Sequence, residues 1–172
     1  RVSDPSAALH ILARLLVADE QPGACRRLLV TAAEDVGRAY PQILPIVKAA
    51  VDMALQIGLP EAAIPLGDAV VLVSLAPKSN TGAEAVFAAL GDVQRGKAGP
   101  IPRQLQNKHY DGADAEVKGQ HYLFPHDYPG RWVQQQYLPD TLAGARYYEY
   151  GDNKTEQAFK DYWDKVKGKH GK

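Results

Sequence analysis

Residues of the types that bind metal ions cluster in the second half of the chain: His109, His121, His126 and Asp127. Their spacing matches no zinc motif, and the single cysteine, Cys25, lies far away in the sequence. We therefore predict no metal site. His126-Asp127, followed by Pro129, is better interpreted as a corner in which side-chain hydrogen bonds fix an extended segment.

Nucleophiles and phosphate-binding loops would indicate an enzyme. Ser74, Ser79 and Cys25 are nucleophile types, but none lies in a recognisable nucleophile motif. An ATPase would need a glycine-rich GxxxxGK[ST] loop to surround phosphates with backbone N–H groups, and Gly96-Lys97 is followed by alanine. The sequence therefore predicts no catalytic, cofactor-binding or metal-binding residue in this chain.

A polar corner, Pro77-Lys78-Ser79-Asn80, separates two apolar segments and has two interpretations. In the first, Ser79 or Thr81 caps the following helix and Asn80 closes the turn. In the second, Lys78 lies at a helix N-terminus and meets an anion or a carboxylate of a partner. Local chemistry favours the capping role, and geometry has to decide between the two.

Two clusters of charge remain. Glu34 and Asp35 fall in the last turn of a predicted helix, where the helix dipole disfavours anions, so we expect Arg26, Arg27, Arg38 or backbone N–H groups to hold them, or water to solvate them. The basic stretch of residues 95–108 holds Arg95, Lys97, Arg103 and Lys108, and residues 165–172 hold four lysines. Either could contact phosphates, although most such clusters are simply solvated.

Helices are predicted to position these groups. Asp4 and Pro5 begin the first helix, which ends near Asp19, and a second helix extends to Gly37. A third covers about Pro41–Ile57, with Pro45 kinking or removing its first turn. The segment between Pro65 and Pro77 is favoured as a helix over a buried strand, because about a dozen residues is long for a strand.

Two further helices carry predicted capping boxes. Thr81 and Glu84 begin an amphipathic helix that Gly96 ends, with apolar residues Val86, Phe87, Leu90 and Val93. Asn153 and Glu156 begin the last helix, with the stripe Phe159, Tyr162, Trp163 and Val166. We therefore expect a mainly α bundle-like fold with a helical body at residues 1–108. An extended aromatic arm and the C-terminal helix, residues 109–172, pack on it as part of one structural unit.

Four sequence blocks, in order along nearly the whole chain, resemble the C-terminal region of the RarA/MgsA replication-associated recombination ATPases and the related Werner helicase-interacting protein. The blocks are R-R-L-L-V-T-A-A-E-D-V-G at 26–37, A-P-K-S-N with D-V-Q-R-G-K-A-G-P-I-P in 76–102, H-Y-L-F-P-H-D-Y-P-G-R-W-V-Q-Q-Q-Y-L-P at 121–139 and L-A-G-A-R-Y-Y-E at 142–149.

The resemblance implies a collar-like oligomerisation domain of an AAA+ ATPase, assembling as a tetramer that acts at stalled replication forks. ATP and Mg²⁺ would be bound by an ATPase module that precedes this region, and DNA and single-strand-binding protein would be partners of the longer protein. The alternative class is a nucleic-acid-binding accessory module that uses the basic stretch of residues 95–108.

Composition sets wider limits. Lysine plus arginine equal aspartate plus glutamate at 20 each, so no overall field steers the chain toward nucleic acid or an anionic membrane. No apolar run approaches the roughly 18 residues that span a bilayer. The unpaired Cys25 is expected to be a buried thiol, and a cytoplasmic, nucleoid-associated location is the default expectation. The chain also begins directly at a helix start, as an excised fragment would.

The missing phosphate loop predicts that the purified chain does not hydrolyse ATP, because no backbone cradle holds the phosphates in place. Phosphate release would be measured with a preparation shown to be free of contaminating ATPases. Turnover above the buffer background would contradict this expectation.

Overall fold

A computed structural model describes residues 3–106 and 123–170, and these residues form helices and turns with no strand. The α-helices are α1 (Pro5–Val17), α2 (Gln21–Thr31), α3 (Ile43–Ile57), α4 (Ala63–Leu75), α5 (Thr81–Gln94) and α6 (Lys154–His170). A π-helix, Ala32–Val36, continues α2, and Gly37–Ala39 is a 3₁₀ turn. Further 3₁₀ turns lie at Arg103–Leu105, Pro125–Asp127, Pro129–Arg131 and Asp140–Leu142. The predicted mainly α fold is confirmed.

The chain divides into two compact units. The first comprises Arg1–Ala85 with Tyr148–Gln157, and the second comprises Val86–Tyr147 with Ala158–Lys172. These limits differ from the predicted division at residue 108. The start of α6 belongs to the first unit because its Glu156 accepts hydrogen bonds from Ser79 and Thr81.

The first unit is built on one core formed by α1 to α4 and the π-helix. Its fully buried residues include Val36, Ile43, Val47 and Leu66. Alanines fill much of the rest, namely Ala24, Ala32, Ala50, Ala54, Ala62 and Ala69, and such small side chains let helices approach closely. Cys25 is buried in this core as a free thiol, as predicted.

Helix ends follow the predicted signals with some differences. The Asp4 carboxylate accepts a hydrogen bond from the Ala7 N–H at 3.1 Å, which caps α1. Helix α3 begins at Ile43 and not at Pro41, so the turn that Pro45 would have disrupted is absent. Residues 70–73 are helical, as favoured.

The second helix reaches Gly37 as predicted, but its last five residues form a π-helix, which the sequence did not indicate. This wider turn carries Glu34 and Asp35. It ends at Gly37, whose φ of 45° and ψ of −122° are readily adopted only by glycine. A Cβ on Gly37 would lie 2.8 Å from the Ser79 carbonyl oxygen, so the polar corner passes directly against this glycine.

In the second unit, the described part of the arm is extended and punctuated by 3₁₀ turns. The side-chain amide of Gln135 donates to the Leu123 carbonyl at 2.8 Å and accepts from the Leu123 N–H at 3.4 Å. The Gln104 amide donates to the Gln136 carbonyl at 2.9 Å. Side-chain amides therefore connect the extended segments of the arm, and the described residues of this unit form no strand ladder.

Replacing Gly37 with alanine should destabilise the chain by about 2 kcal/mol or more, because it imposes both an unfavourable backbone conformation and a clash with the Ser79 carbonyl. Chemical denaturation measures the change. The control is Gly168→Ala in α6, where nothing lies within 4 Å of the added Cβ. That variant should be as stable as the parent or slightly more so. Equal stability of the Gly37 variant and the parent would contradict the assigned backbone.

Candidate functional site

The corner at Pro77–Asn80 is shaped by the end of α4. Ala76 is extended, with φ −61° and ψ 146°, as expected for a residue before proline. The ammonium of Lys78 turns back and donates to the carbonyls of Ser74, at 3.1 Å, and of Ala76. Lys78 therefore neutralises the negative C-terminal end of α4, and does not lie at a helix N-terminus as the second interpretation required.

The same corner joins the π-helix to α6. The Ser79 N–H donates to the Asp35 carbonyl at 2.8 Å. The Ser79 hydroxyl donates to Oε2 of Glu156 at 2.6 Å, and the Thr81 hydroxyl donates to Oε1 at the same distance. Two residues of the corner region therefore bind one carboxylate that lies 75 to 77 positions further along the chain.

Glu156 is fully buried, and its carboxylate is the centre of a hydrogen-bonded cluster. Besides Ser79 and Thr81, it accepts from the Tyr148 hydroxyl at 2.6 Å, from the Gly151 N–H at 3.3 Å and from the Asn153 amide. We call Glu156 and these five donors the Glu156 cluster. The cluster brings together residues of the α4–α5 corner, the end of the aromatic arm and the first turn of α6.

The electrostatics of the Glu156 cluster depend on these donors. Burial alone raises the pKa of Glu156, but the hydrogen bonds from Ser79, Thr81, Tyr148 and Asn153 outweigh it and lower that pKa to about 2. Burial, followed by the hydrogen bond to Glu156, raises the pKa of Tyr148 to about 12. Glu156 is therefore ionised and Tyr148 is neutral at neutral pH. A carboxylate with such a low pKa is a poor general base, so the arrangement is suited to holding the fold.

Of the two predicted capping boxes, the Asn153 cap of α6 is present, and the Thr81–Glu84 box of α5 is not. Oδ1 of Asn153 accepts from the Glu156 N–H at 3.0 Å, which caps α6 as expected. At α5, the Thr81 hydroxyl is committed to Glu156, and Glu84 accepts from the Asn80 amide at 2.7 Å. The buried carboxylate competes successfully for the hydroxyl that the helix would otherwise use.

Sequence reasoning missed Tyr148 and Gly151 as members of the cluster. A Cβ on Gly151 would lie 2.7 Å from Oε2 of Glu156, so the close approach of the chain requires glycine here. The spacing Tyr148, Gly151, Asn153, Glu156 is the signal that could have identified them. Tyr148 is also in contact with Arg38, whose guanidinium carbon lies 5.3 Å from the ring centroid.

The motif residues of α2 and the π-helix lie near the corner. Arg27 is exposed on α2, and Glu34 and Asp35 are half-buried in the π-helix. Asp35 lies close enough to Lys78 for its charge to act on that ammonium: burial lowers the pKa of Lys78, and Asp35 partly opposes this. Lys78 is thus a neighbour of Asp35 in addition to the arginines expected from the sequence.

The expected corner at His126, Asp127 and Pro129 is held by its main chain. The Asp127 N–H donates to the Phe124 carbonyl at 3.0 Å, and the His126 ring lies 5.0 Å from the Phe124 ring. Both His126 and Asp127 are exposed, so the proposed side-chain hydrogen bonds are replaced by backbone ones. In residues 3–106 and 123–170 no group of three metal-binding side chains converges; His109 and His121 lie outside those ranges.

An acidic residue just before the basic stretch, Asp92, pairs with two of its cations. Asp92 accepts a hydrogen bond from Arg95 at 2.7 Å, lies 3.9 Å from the Lys97 ammonium and accepts from the Tyr147 hydroxyl at 3.0 Å. The hydrogen bonds from Arg95 and Tyr147 hold the pKa of Asp92 below its usual value. Arg103 lies in a 3₁₀ turn, and Lys108 falls outside the described residues. Asp92 therefore offsets part of the positive charge that a phosphate backbone would meet.

Replacing Glu156 with glutamine should destabilise the chain by about 2–4 kcal/mol at pH 7, because an amide cannot accept from all of these donors. The folded pKa of Glu156 is lowered, so its contribution is complete above the ordinary glutamate pKa and is lost as pH falls from about 5 toward 2. The difference between parent and variant in urea unfolding should therefore shrink over that range.

The control for this substitution is Glu149→Gln, which changes the same functional group at an exposed position. It should leave stability unchanged within about 0.5 kcal/mol. A constant difference between the Glu156 variant and the parent from pH 7 to pH 3 would show that the carboxylate charge has no part in the stabilisation.

The sequence of this chain matches a family of known proteins. The family model described as MgsA AAA+ ATPase C terminal matches residues 2–167. The chain is 46% identical to replication-associated recombination protein A of Bacillus subtilis over 167 residues, 96% of this chain and 40% of that protein. The corresponding Escherichia coli K12 protein is 34% identical over 150 residues, 86% of this chain and 34% of that protein.

A eukaryotic relative, ATPase WRNIP1 of Dictyostelium discoideum, is 26% identical over 152 residues, 87% of this chain and 17% of that protein. The chain thus spans 40% or less of the length of these three relatives. The resemblance inferred from the four sequence blocks is confirmed, and the blocks contribute to the Glu156 cluster through Ser79 and Tyr148. The chain belongs to the family of MgsA AAA+ ATPase C-terminal domains.

Proposed function

We propose that this domain holds together copies of a longer AAA+ ATPase through apolar surfaces on its helices. The observation that carries the proposal is an apolar groove in the first unit. It has a volume of about 720 Å³ and lies between α1, α3 and α4. Its apolar lining includes Leu9, Met53, Ile57, Ile64 and Val71.

The side chains of this groove are unusually accessible for their type. Met53 is 50% exposed, Ile57 54% and Ile64 73%. Exposed apolar side chains that occur singly need no explanation, but a contiguous group around a concave surface marks an interaction site. Only two acids, Glu61 and Asp68, line the groove, so a partner surface would have to be mainly apolar.

A second apolar surface lies on α5 in the second unit. Val86, Phe87, Leu90 and Val93 recur at helical spacing and are 47–65% exposed. Burying one such side chain completely stabilises an interface by about 1.5–3 kcal/mol, whereas association costs about 4–15 kcal/mol. Four half-exposed side chains on one patch therefore contribute about 3–6 kcal/mol, which only reaches the lower end of that cost. A second patch roughly doubles the gain, and two different patches also allow assemblies larger than a dimer.

The number of copies is taken from the family resemblance, which implies a tetramer. Within such an assembly the domain would set the spacing of ATPase modules that bind ATP and Mg²⁺. The longer protein would act in replication, recombination and repair at stalled forks in the cytoplasm, in association with the nucleoid. The names of the bacterial relatives refer to replication and recombination. The family resemblance implies DNA and single-strand-binding protein as partners of the longer protein.

Self-association is tested by light scattering of the purified chain at low micromolar concentration. We expect a mass of several copies that persists in 1 M salt, because an apolar contact is not weakened where screening lengths shrink to about 3 Å. Ile64→Lys should lower the mass by placing a charge in the groove. Leu75→Lys, at a position that is 67% exposed and outside the groove lining, is the matched control and should retain it.

A monomer mass at both low and high salt would reject the assembly function. If Ile64→Lys and Leu75→Lys change the mass equally, the groove is not the surface through which the copies associate.

A further inference from the structure

A second concave feature of the first unit, distinct from the apolar groove, lies between α1, α2 and α4. This cavity has a volume of about 160 Å³. Its walls are mainly apolar, with Ile11, Leu12, Leu15, Leu28, Val70 and Val73 among the lining residues. An engineered cavity of about 150 Å³ with walls of this kind binds benzene, so the space is suited to one aromatic ring or a branched alkyl group.

Two cations line the same cavity. Arg27 comes from α2 and Lys78 from the polar corner, and the lining includes no acidic residue. Within the part of the chain that the structure describes, the guanidinium of Arg27 forms no ion pair or hydrogen bond. A mainly apolar pocket with a small number of convergent polar groups is the usual form of a small-ligand site.

The two cations differ in how many of their hydrogen-bond donors already have an acceptor within the chain. Lys78 donates to the carbonyls of Ser74 and Ala76, which leaves one of its three ammonium hydrogens for another acceptor. Asp35 does not line this cavity; it lines a separate depression together with Lys78, Ser79 and Asn80. Arg27 is therefore the principal unneutralised charge at this cavity.

We propose that this cavity binds a small carboxylic acid, with its apolar group between α1, α2 and α4 and its carboxylate on Arg27. A guanidinium presents a planar fork of donors that matches the two oxygens of a carboxylate. The apolar walls disfavour a larger or doubly charged anion, whose desolvation would cost more. Lys78 assists as the second, partly engaged cation.

The pKa of Lys78 offers a second way to detect a bound carboxylate. Burial lowers its pKa, and the charge of Asp35 opposes that effect only in part. A bound carboxylate beside the ammonium would raise the Lys78 pKa, since an opposite charge favours the charged form. This gives a spectroscopic readout in addition to affinity.

The experiment compares 3-phenylpropionate with its neutral amide, 3-phenylpropanamide, by calorimetry on the full chain. The two compounds have the same apolar group, so the difference isolates the carboxylate. We expect the acid to bind about tenfold tighter or better, as a charge-assisted hydrogen bond provides. The Lys78 pKa, followed by NMR, should rise when the acid is bound.

The matched variants are Arg27→Gln and Arg26→Gln, two neighbouring exposed arginines of α2 of which only Arg27 lines the cavity. Arg27→Gln should abolish the preference for the acid and leave amide binding unchanged. Arg26→Gln should keep that preference. Because both side chains are exposed, loss of folding does not confuse the comparison.

Three results would overturn the proposal. Neither compound binding at millimolar concentration would show that the cavity takes no such ligand. Equal affinity for acid and amide would leave an apolar cavity without the carboxylate site. Equal effects of the two arginine substitutions would reduce the preference to general charge attraction. The mass of the chain, measured in the same samples, keeps these outcomes separate from the self-association described above.

Discussion

A buried carboxylate is the interaction on which the first unit depends. Removing an ion of this kind from water costs several kcal/mol, and the cost is recovered only where donors surround both oxygens. Glu156 has donors from two distant parts of the chain: Ser79 and Thr81 at the corner, and Tyr148, Gly151 and Asn153 between the end of the arm and the cap of α6. A buried donor without an acceptor, or a buried carboxylate without donors, would lower the free energy of unfolding. These segments are therefore fixed relative to one another within the unit.

The same constraint explains where the sequence could be interpreted correctly and where it could not. Asp4 with Pro5, and Asn153 with Glu156, are local signals, and the structure confirms both caps. The role of Thr81 could not be seen locally, because a helix cap and a distant buried carboxylate compete for the same hydroxyl. The two interpretations of the corner could not be separated locally for a related reason: the Lys78 side chain reaches back to the Ser74 carbonyl of α4, and the extended conformation of Ala76 is part of that geometry.

The π-helix is the other feature that local pattern did not predict. Periodicity in residues 24–36 is that of an ordinary α-helix, whereas the extra width at Ala32–Val36 meets a tertiary demand. It brings the Asp35 carbonyl to the Ser79 N–H and ends at Gly37 beneath the Ser79 carbonyl. The sequence blocks at 26–37 and 76–102, which indicate the family, nevertheless include the residues of this contact, Asp35, Gly37 and Ser79.

The hydrogen bond from Ser79 to Glu156 closes a separation of 77 residues, and the one from Thr81 closes 75. The ribosome synthesises the chain from its N-terminus, so α1 to α4 and the corner with Ser79 and Thr81 emerge well before Glu156 has been added. During that interval the two hydroxyls lack the carboxylate, and their available partners are water and each other, since their oxygens lie 3.1 Å apart. The first unit therefore completes its polar contacts only after Glu156 has been synthesised. A chaperone or protease that acts on the nascent chain before then meets a corner at Ser79 and Thr81 that lacks its carboxylate.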